Sequence, residues 1–214
     1  MFLRKFNIFL MVFFGMSFLA YFLLNGGAYW RVARYAIFLN SPFASAELRQ
    51  GDILAFAASG AAVSDVPVGN SLLVIPKIGV EAPVVMPKSS TKESILASME
   101  EGVGIYPGSA KLGEDGRLII LGHSSQATWY RGDYAHVFAL LNKLEDSDEF
   151  YIITNGKKYV YRVFANKVLT PQETNEFLST KPPHSEINLV TCYPVGSASK
   201  RTVIQAKLIS EETI

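Results

Sequence analysis

The run Phe6-Asn-Ile-Phe-Leu-Met-Val-Phe-Phe-Gly-Met-Ser-Phe-Leu-Ala-Tyr-Phe-Leu-Leu24 carries no charged side chain, and it splits the 214-residue chain into two physical problems. About 20 apolar residues let a helix cross the hydrocarbon core of a bilayer, where every backbone polar group must be satisfied within the segment. The run therefore reads as a transmembrane helix, and residues 1–29 as a cytoplasmic N-terminus plus membrane anchor. A cleaved signal peptide is the competing reading. Its apolar region usually spans only ~7–15 residues, and no small-x-small site directly follows Leu24; Ala44-Ser-Ala46 fits that pattern but lies far downstream. Arg4 and Lys5 precede the run while Arg31 and Arg34 follow it, so the positive-inside rule only slightly favours a cytoplasmic N-terminus. That orientation puts the rest of the chain on the extracytoplasmic side.

Beyond the anchor, residues 30–70 read as a juxtamembrane linker. Trp30–Leu39 is able to continue as a helix, and Ser41–Asn70 is an arm rich in Ala, Ser and Gly that either tethers the following domain or folds back over it. Residues 71–214 change to short apolar runs separated by turn signals, which points to an all-β sandwich or barrel with short helices. Leu72–Pro76 and Ala82–Met86 are runs limited by prolines, and Arg117–Gly122 is continuous enough to be a buried strand. Glu149–Thr154 and Lys158–Phe164 flank Asn155-Gly156, whose tolerance of positive φ makes a strong hairpin signal. Ile187–Thr191 and Thr202–Leu208 supply two more strands, while Ser90–Glu100 and Tyr134–Asn142 read as helices.

Twenty Lys and Arg stand against nineteen Asp and Glu, with no basic stripe to meet phosphates, so nothing here marks a nucleic-acid partner. No phosphate-cradling glycine loop or paired-cysteine metal pattern occurs, and neither cofactor nor metal is expected. The one acidic cluster after Leu144, formed by Glu145, Asp146 and Asp148, reads as a solvated turn rather than a calcium site.

A single cysteine, Cys192, excludes an intrachain disulfide. It ends the apolar run Asn188–Cys192, just before Tyr193-Pro194. A lone cysteine is often a small buried hydrophobe; a reactive one needs an electropositive, partly exposed setting. Nucleophilic use of the thiol requires a proton-handling partner and donors for the oxyanion. Three histidines are available. His123 closes a strand in Leu121-Gly-His-Ser124, whereas His136 and His184 fall in a helix and in a Pro-rich loop, so His123 is the preferred partner. Lys200 and Arg201 begin the last strand, and Arg201 is the better cation because its fork stays charged and takes no part in proton transfer.

These residues, in this order, resemble the sortases, membrane-anchored cysteine transpeptidases. The resemblance covers most of 71–208 and rests on Val74-Ile-Pro-Lys-Ile-Gly-Val80, Glu101-Gly-Val-Gly-Ile-Tyr-Pro-Gly-Ser109, Leu121-Gly-His-Ser124, Phe138–Leu144 before Asp148–Ile152, and Thr191-Cys-Tyr-Pro194 followed by Arg201. It implies a closed eight-stranded sortase-type β-barrel behind one N-terminal transmembrane helix. It also implies Cys192 as nucleophile, His123 as general acid and base, and Arg201 as the holder of oxyanion or substrate. The implied substrates are surface proteins with a C-terminal LPxTG-like sorting signal, and the implied acceptor is an amine from a cell-wall peptide or a pilin lysine. With the ordinary thiol at about 8.5 and imidazole at about 6.5, little of the thiolate–imidazolium pair exists at neutral pH. A nearby Arg201 favours the thiolate and disfavours the imidazolium.

By this resemblance the core is class C-, D- or E-like, with the subclass unresolved. The short spacing from Cys192 to Arg201 is like that of pilus-building members, but no aspartate-proline-aromatic lid motif precedes Ser71, and Ser197-Ala-Ser199 stands where an asparagine-containing loop is common. Specificity is expected in the loops around Leu169–Ser185 and Val195–Lys200. Two rival functions use the same sequence: a cysteine peptidase that only hydrolyses, and a membrane-tethered binding module with Cys192 buried.

Overall fold

The computed structural model describes residues 2–39, 71–125 and 133–214. The arm 41–70 lies outside these residues. Helix α1 (Phe2–Leu39) contains the apolar run and continues through Gly26 and Gly27. Its segment Arg4–Leu23 has a mean hydropathy of 2.0 with no part buried in the protein, and among the described residues it is the helix long and apolar enough to cross a membrane.

The remainder forms a closed barrel of eight strands: β1 (Ser71–Ile75), β2 (Val80–Val85), β3 (Val103–Ile105), β4 (Arg117–Leu121), β5 (Glu149–Thr154), β6 (Lys157–Leu169), β7 (Glu186–Tyr193) and β8 (Lys200–Thr213). They lie in the order β1-β2-β3-β4-β7-β8-β6-β5. Two neighbouring pairs are parallel, β2 with β3 and β4 with β7, and the others antiparallel. Helix α2 (Lys92–Glu101), capped by Thr91 through its bond from the Ser94 N–H, makes the crossover between β2 and β3. At the β5–β6 hairpin Asn155 and Gly156 have φ of 49° and 73°, the paired positive values that a type I′ turn requires.

Alternation along the strands separates two apolar sets. Leu118 and Ile120 of β4, Ile187 and Leu189 of β7, and Ile204 and Ala206 of β8 point into the barrel with Leu73, Ile75 and Phe150. Ile119, Val190 and Val203, at the odd steps between them, form a second cluster on the outer face. That cluster is covered by helix α3 (Pro171–Ser179), whose Phe177 and Leu178 pack on it together with Leu121 and Leu169. Cover on both faces explains why Arg117–Leu121 is a continuous apolar run.

The structure corrects the helix expected over Tyr134–Asn142. The chain forms successive tight turns there and a 3₁₀ turn at Leu141–Lys143. Bonds run from the N–H of residue i+3 to the carbonyl of residue i, as from Val137 to Tyr134 and from Ala139 to His136, while the Phe138 N–H is captured by the His123 carbonyl at 2.9 Å. Val137–Leu141 is buried at every position, so no solvent face exists to make the segment an amphipathic helix. Gly122 is fitted to this packing, because a Cβ there would stand 2.5 Å from the Phe138 ring. Helix α3 and strand β3 were not anticipated, and β6 and β8 extend well beyond their expected ends.

Candidate active site

The registers pair Cys192 with Arg201 and bring the chain leaving β4, which carries His123, to the same end of the barrel. Leu121 on β4 pairs with Val190 on the parallel strand β7, and the Gly122 N–H continues that ladder to the Val190 carbonyl at 3.1 Å. Two residues further along the chain come His123 and Cys192. Cys192 is in turn the cross-strand partner of Arg201 on β8, and Arg201 is the partner of Leu169 on β6. Cys192, Arg201 and Leu169 thus form one row across β7, β8 and β6, and His123 follows two residues after Leu121, just beyond the end of β4. Below it lies the apolar row Leu121, Val190 and Val203. Because β4 and β7 run in the same direction, both deliver their last side chains to the same rim.

Beneath the row the backbone is stitched together. The Thr191 hydroxyl donates to the Gly122 carbonyl at 2.8 Å, and the Gly196 N–H of the β7–β8 loop donates to the Ser125 hydroxyl at 2.9 Å. The loop following Cys192 is therefore tied to the segment following His123. Gly196 has φ of 81°, which suits glycine at this bend.

Each of the three site residues has a distinct environment. Cys192 is free of any disulfide and half-buried. His123 is 9% exposed, and its imidazole is pushed down to about 4 by burial and, secondarily, by the charge of His136. It is therefore neutral near pH 7. Arg201 is half-buried, and its Nη1 donates to the carbonyls of Ala198 and Lys200 at 2.8 Å each. In this state the guanidinium clasps its own loop.

Of the other histidines, His184 stacks edge-on against Phe164, with ring centroids 5.6 Å apart. His136 is electrostatically felt at His123. Sequence spacing gave no sign of that proximity, which depends on the turns of 134–140 folding back over Gly122. Glu145 and Asp148 are both bonded to Lys77, at 2.8 and 2.7 Å, and Asp148 also accepts from the Glu145 N–H. Burial alone would lower the Lys77 pKa, but these hydrogen bonds outweigh it and raise the value. Among the described residues no group of three or more His, Cys, Asp and Glu is arranged to hold a metal ion.

The Sortase domain family model matches residues 73–209, which is the whole barrel apart from its extreme ends. This chain belongs to the sortase family. Its relatives include Sortase D of Bacillus subtilis, 27% identical over 144 residues that make up 66% of this chain and 64% of that protein. Sortase SrtE1 of Streptomyces coelicolor is 27% identical over 154 residues, 67% of this chain but 41% of that one. The chain thus spans less than two thirds of the length of both. Among solved structures, sortase C-1 from Actinomyces oris is similar at 27% identity with a TM-score of 0.54, covering 74% of this chain and 82% of the other. The core accordingly has kin among C-, D- and E-type sortases, a family of cysteine transpeptidases that anchor surface proteins or join pilins.

Proposed function

We propose that this sortase is a membrane-anchored transpeptidase that cleaves an LPxTG-like sorting signal and transfers the acyl group to a primary amine. Residues 1–29 provide the cytoplasmic N-terminus and anchor, 30–70 the linker, and 71–214 the catalytic domain on the extracytoplasmic face. The observation that carries the reading is the pairing of Cys192 with Arg201, with His123 following β4 at the same end of the barrel.

In the first step the His123 imidazole accepts the Cys192 thiol proton as the sulfur attacks the carbonyl carbon of the signal's threonine. Arg201 exchanges a loop carbonyl for the developing oxyanion. The bond from that carbon to the glycine nitrogen then breaks, the imidazolium returns the proton to the departing amine, and a thioester remains. In the second step the nitrogen of a cell-wall peptide amine or a pilin lysine attacks the thioester carbon and gives a proton to His123. The C–S bond breaks, and the sulfur leaves as thiolate and is reprotonated. Burial lowers the His123 pKa to about 4, so its imidazole is neutral at pH 7. The resting site is thus an imidazole ready to accept a proton, and slow turnover follows from how weak a base it is.

The test is to incubate the detergent-solubilised full chain with LPxTG-like peptides, with and without a primary amine, and to read intact mass and products. A thioester adduct absent from Cys192→Ala, together with amine-dependent ligation, is the expected result. Hydrolysis regardless of amine would favour the peptidase, and no adduct with slow Cys192 alkylation would favour the binding module.

A further inference from the structure

Helix α3 has nine residues, too short to persist in water without outside contacts. Its N-terminus is secured by its own sequence. Thr170 and Glu173 form a reciprocal capping box, with Pro171 at the first helical position. Its C-terminus has no basic residue in the last turn and runs into Thr180 in extended conformation; locally, Ser179 Oγ donates to the Glu176 carbonyl at 2.9 Å and Thr180 Oγ1 to the Phe177 carbonyl at 2.7 Å. The last carbonyls of a helix lack intrahelical partners and attract positive charge. A charged partner is added from another part of the chain. Arg117 of β4 donates from Nη1 to the Phe177 carbonyl at 2.6 Å and to the Thr180 carbonyl at 2.8 Å.

Arg117 is held for this task on its other sides. Its Nε donates to Glu186 Oε1 at 2.7 Å, and its guanidinium carbon lies 4.6 Å from the centroid of the Phe177 ring. Glu186 is fixed in turn by Asn188, 2.9 Å from Oε1, and by Gln205, 3.4 Å from Oε2. Arg117 is 8% and Glu186 5% exposed, so the two charges face each other in a dry setting. The same sheet face that ends in Cys192 therefore begins with a cation gripping the far end of α3. At the near end of the helix the Glu173 carboxyl is held low by its bonds from Thr170, with a smaller contribution from the charge of Lys200. The register places the beginning of α3 near the site, since Leu169, two residues before Pro171, is the cross-strand partner of Arg201, and Phe177 and Leu178 pack on Val190 and Val203 one step below it.

We infer that Arg117 is a positioning residue for the sorting-signal peptide: by bonding the end of α3 it fixes that helix on the outer sheet face beside Cys192, Arg201 and Leu169, where the peptide is bound. The inference rests on the transpeptidase reading. Loss of the clamp frees the helix while leaving Cys192 and Arg201 in register, so peptide recognition suffers more than chemistry.

The test uses the full chain in detergent. Arg117→Lys keeps a charge opposite Glu186 but lacks the fork that reaches both carbonyls, and Arg117→Met removes both functions. For Arg117→Lys the expected results are faster amide exchange confined to 174–181, a KM for the LPxTG-like peptide raised about tenfold, kcat within about twofold, and an unchanged rate of Cys192 alkylation by iodoacetamide. Arg117→Met should enlarge the exchange and KM effects in the same order. An unchanged KM with faster exchange would show that the helix does not touch the peptide, and unchanged exchange would show that Arg117 does not hold the helix; either overturns the inference. A fall in kcat alone would overturn it as well. A wild-type chain that acylates with no peptide would sink the transpeptidase reading and the substrate role of α3 with it. In that case exchange still judges the clamp separately.

Discussion

The two ends of the outer face of β4, β7 and β8 are built from the same ingredients and treated in opposite ways. At one end Arg117 and Glu186 are buried charges that answer each other, with backbone carbonyls and an aromatic ring completing the arginine's surroundings. At the other, Arg201 and Cys192 are half-buried. Among the described residues the arginine bonds to its own loop, and burial has stripped the imidazole of His123 of its proton. A buried charge is costly unless paired, which makes the first end rigid and inert. The second end stays open to solvent, and its arginine can trade one set of acceptors for another. Charge that supports a fold and charge that serves a reaction differ here by who already holds the hydrogen bonds.

Substitutions that exchange the characters of the two ends test this contrast. The largest effect is expected from Cys192→Ala, which should lower acyl transfer by a factor on the order of 10⁴ or more while thermal unfolding hardly moves. A large loss of stability instead would make the cysteine a packing residue. Arg117→Met comes next. It strands the Glu186 carboxylate and should cost about 3–5 kcal/mol of folding stability by denaturant titration; a cost below about 1 kcal/mol would mean that the pair is not structurally important. Arg201→Ala should show the opposite balance, with kcat down about 10²–10³-fold and little change in the denaturation midpoint. Equal stability losses at Arg117 and Arg201 would erase the distinction between the ends.

Proton linkage gives a smaller, directional effect. His123 has a folded value near 4, below its ordinary unfolded value of about 6.5. The unfolded chain therefore binds a proton first as pH falls. The contribution of the neutral imidazole is complete above about pH 6.5 and is lost between about 6.5 and 4. His123→Asn should flatten that part of the stability–pH curve by about one proton, as read from unfolding at several pH values. An unchanged slope would place the acid sensitivity elsewhere. The smallest effect belongs to Thr170→Ala, which removes the hydroxyl of the α3 capping box and should cost about 1 kcal/mol. It provides a measure of the helix's near end to set beside Arg117 at its far end.

What the sequence made legible follows from where the decisive interactions lie along the chain. Asn155-Gly156 specifies its hairpin locally, and of the residues the sequence marked, the strand registers pair Cys192 with Arg201, with His123 following the end of β4. Tyr134–Asn142 carried a helical spacing that lost to tertiary capture, because the His123 carbonyl takes the Phe138 N–H and Gly122 admits the ring. The proximity of His136 to His123 depends on the same folding back. Helix α3 could have been found, since Thr170-Pro171 followed by Glu173 is a capping-box signature. The part of α3 that could not be read is its C-terminal partner, an arginine about 60 residues earlier. The three-residue strand β3 is too short for alternation to register.

The parallel pairing of β4 with β7 also bears on how such a barrel diversifies. Both strands end on the same side of the barrel, so the chain leaving β4 toward Ser125 and the chain leaving β7 at Pro194 run close together rather than at opposite ends of the domain, as the bond from the Gly196 N–H to the Ser125 hydroxyl shows. Insertions or deletions after either strand reshape the approach to Cys192 without shifting a single rung of Leu121 with Val190 or of Cys192 with Arg201. On the proposed transpeptidase reading, loop length alone then retunes which peptides reach Cys192, while the barrel and its strand pairings stay as they are.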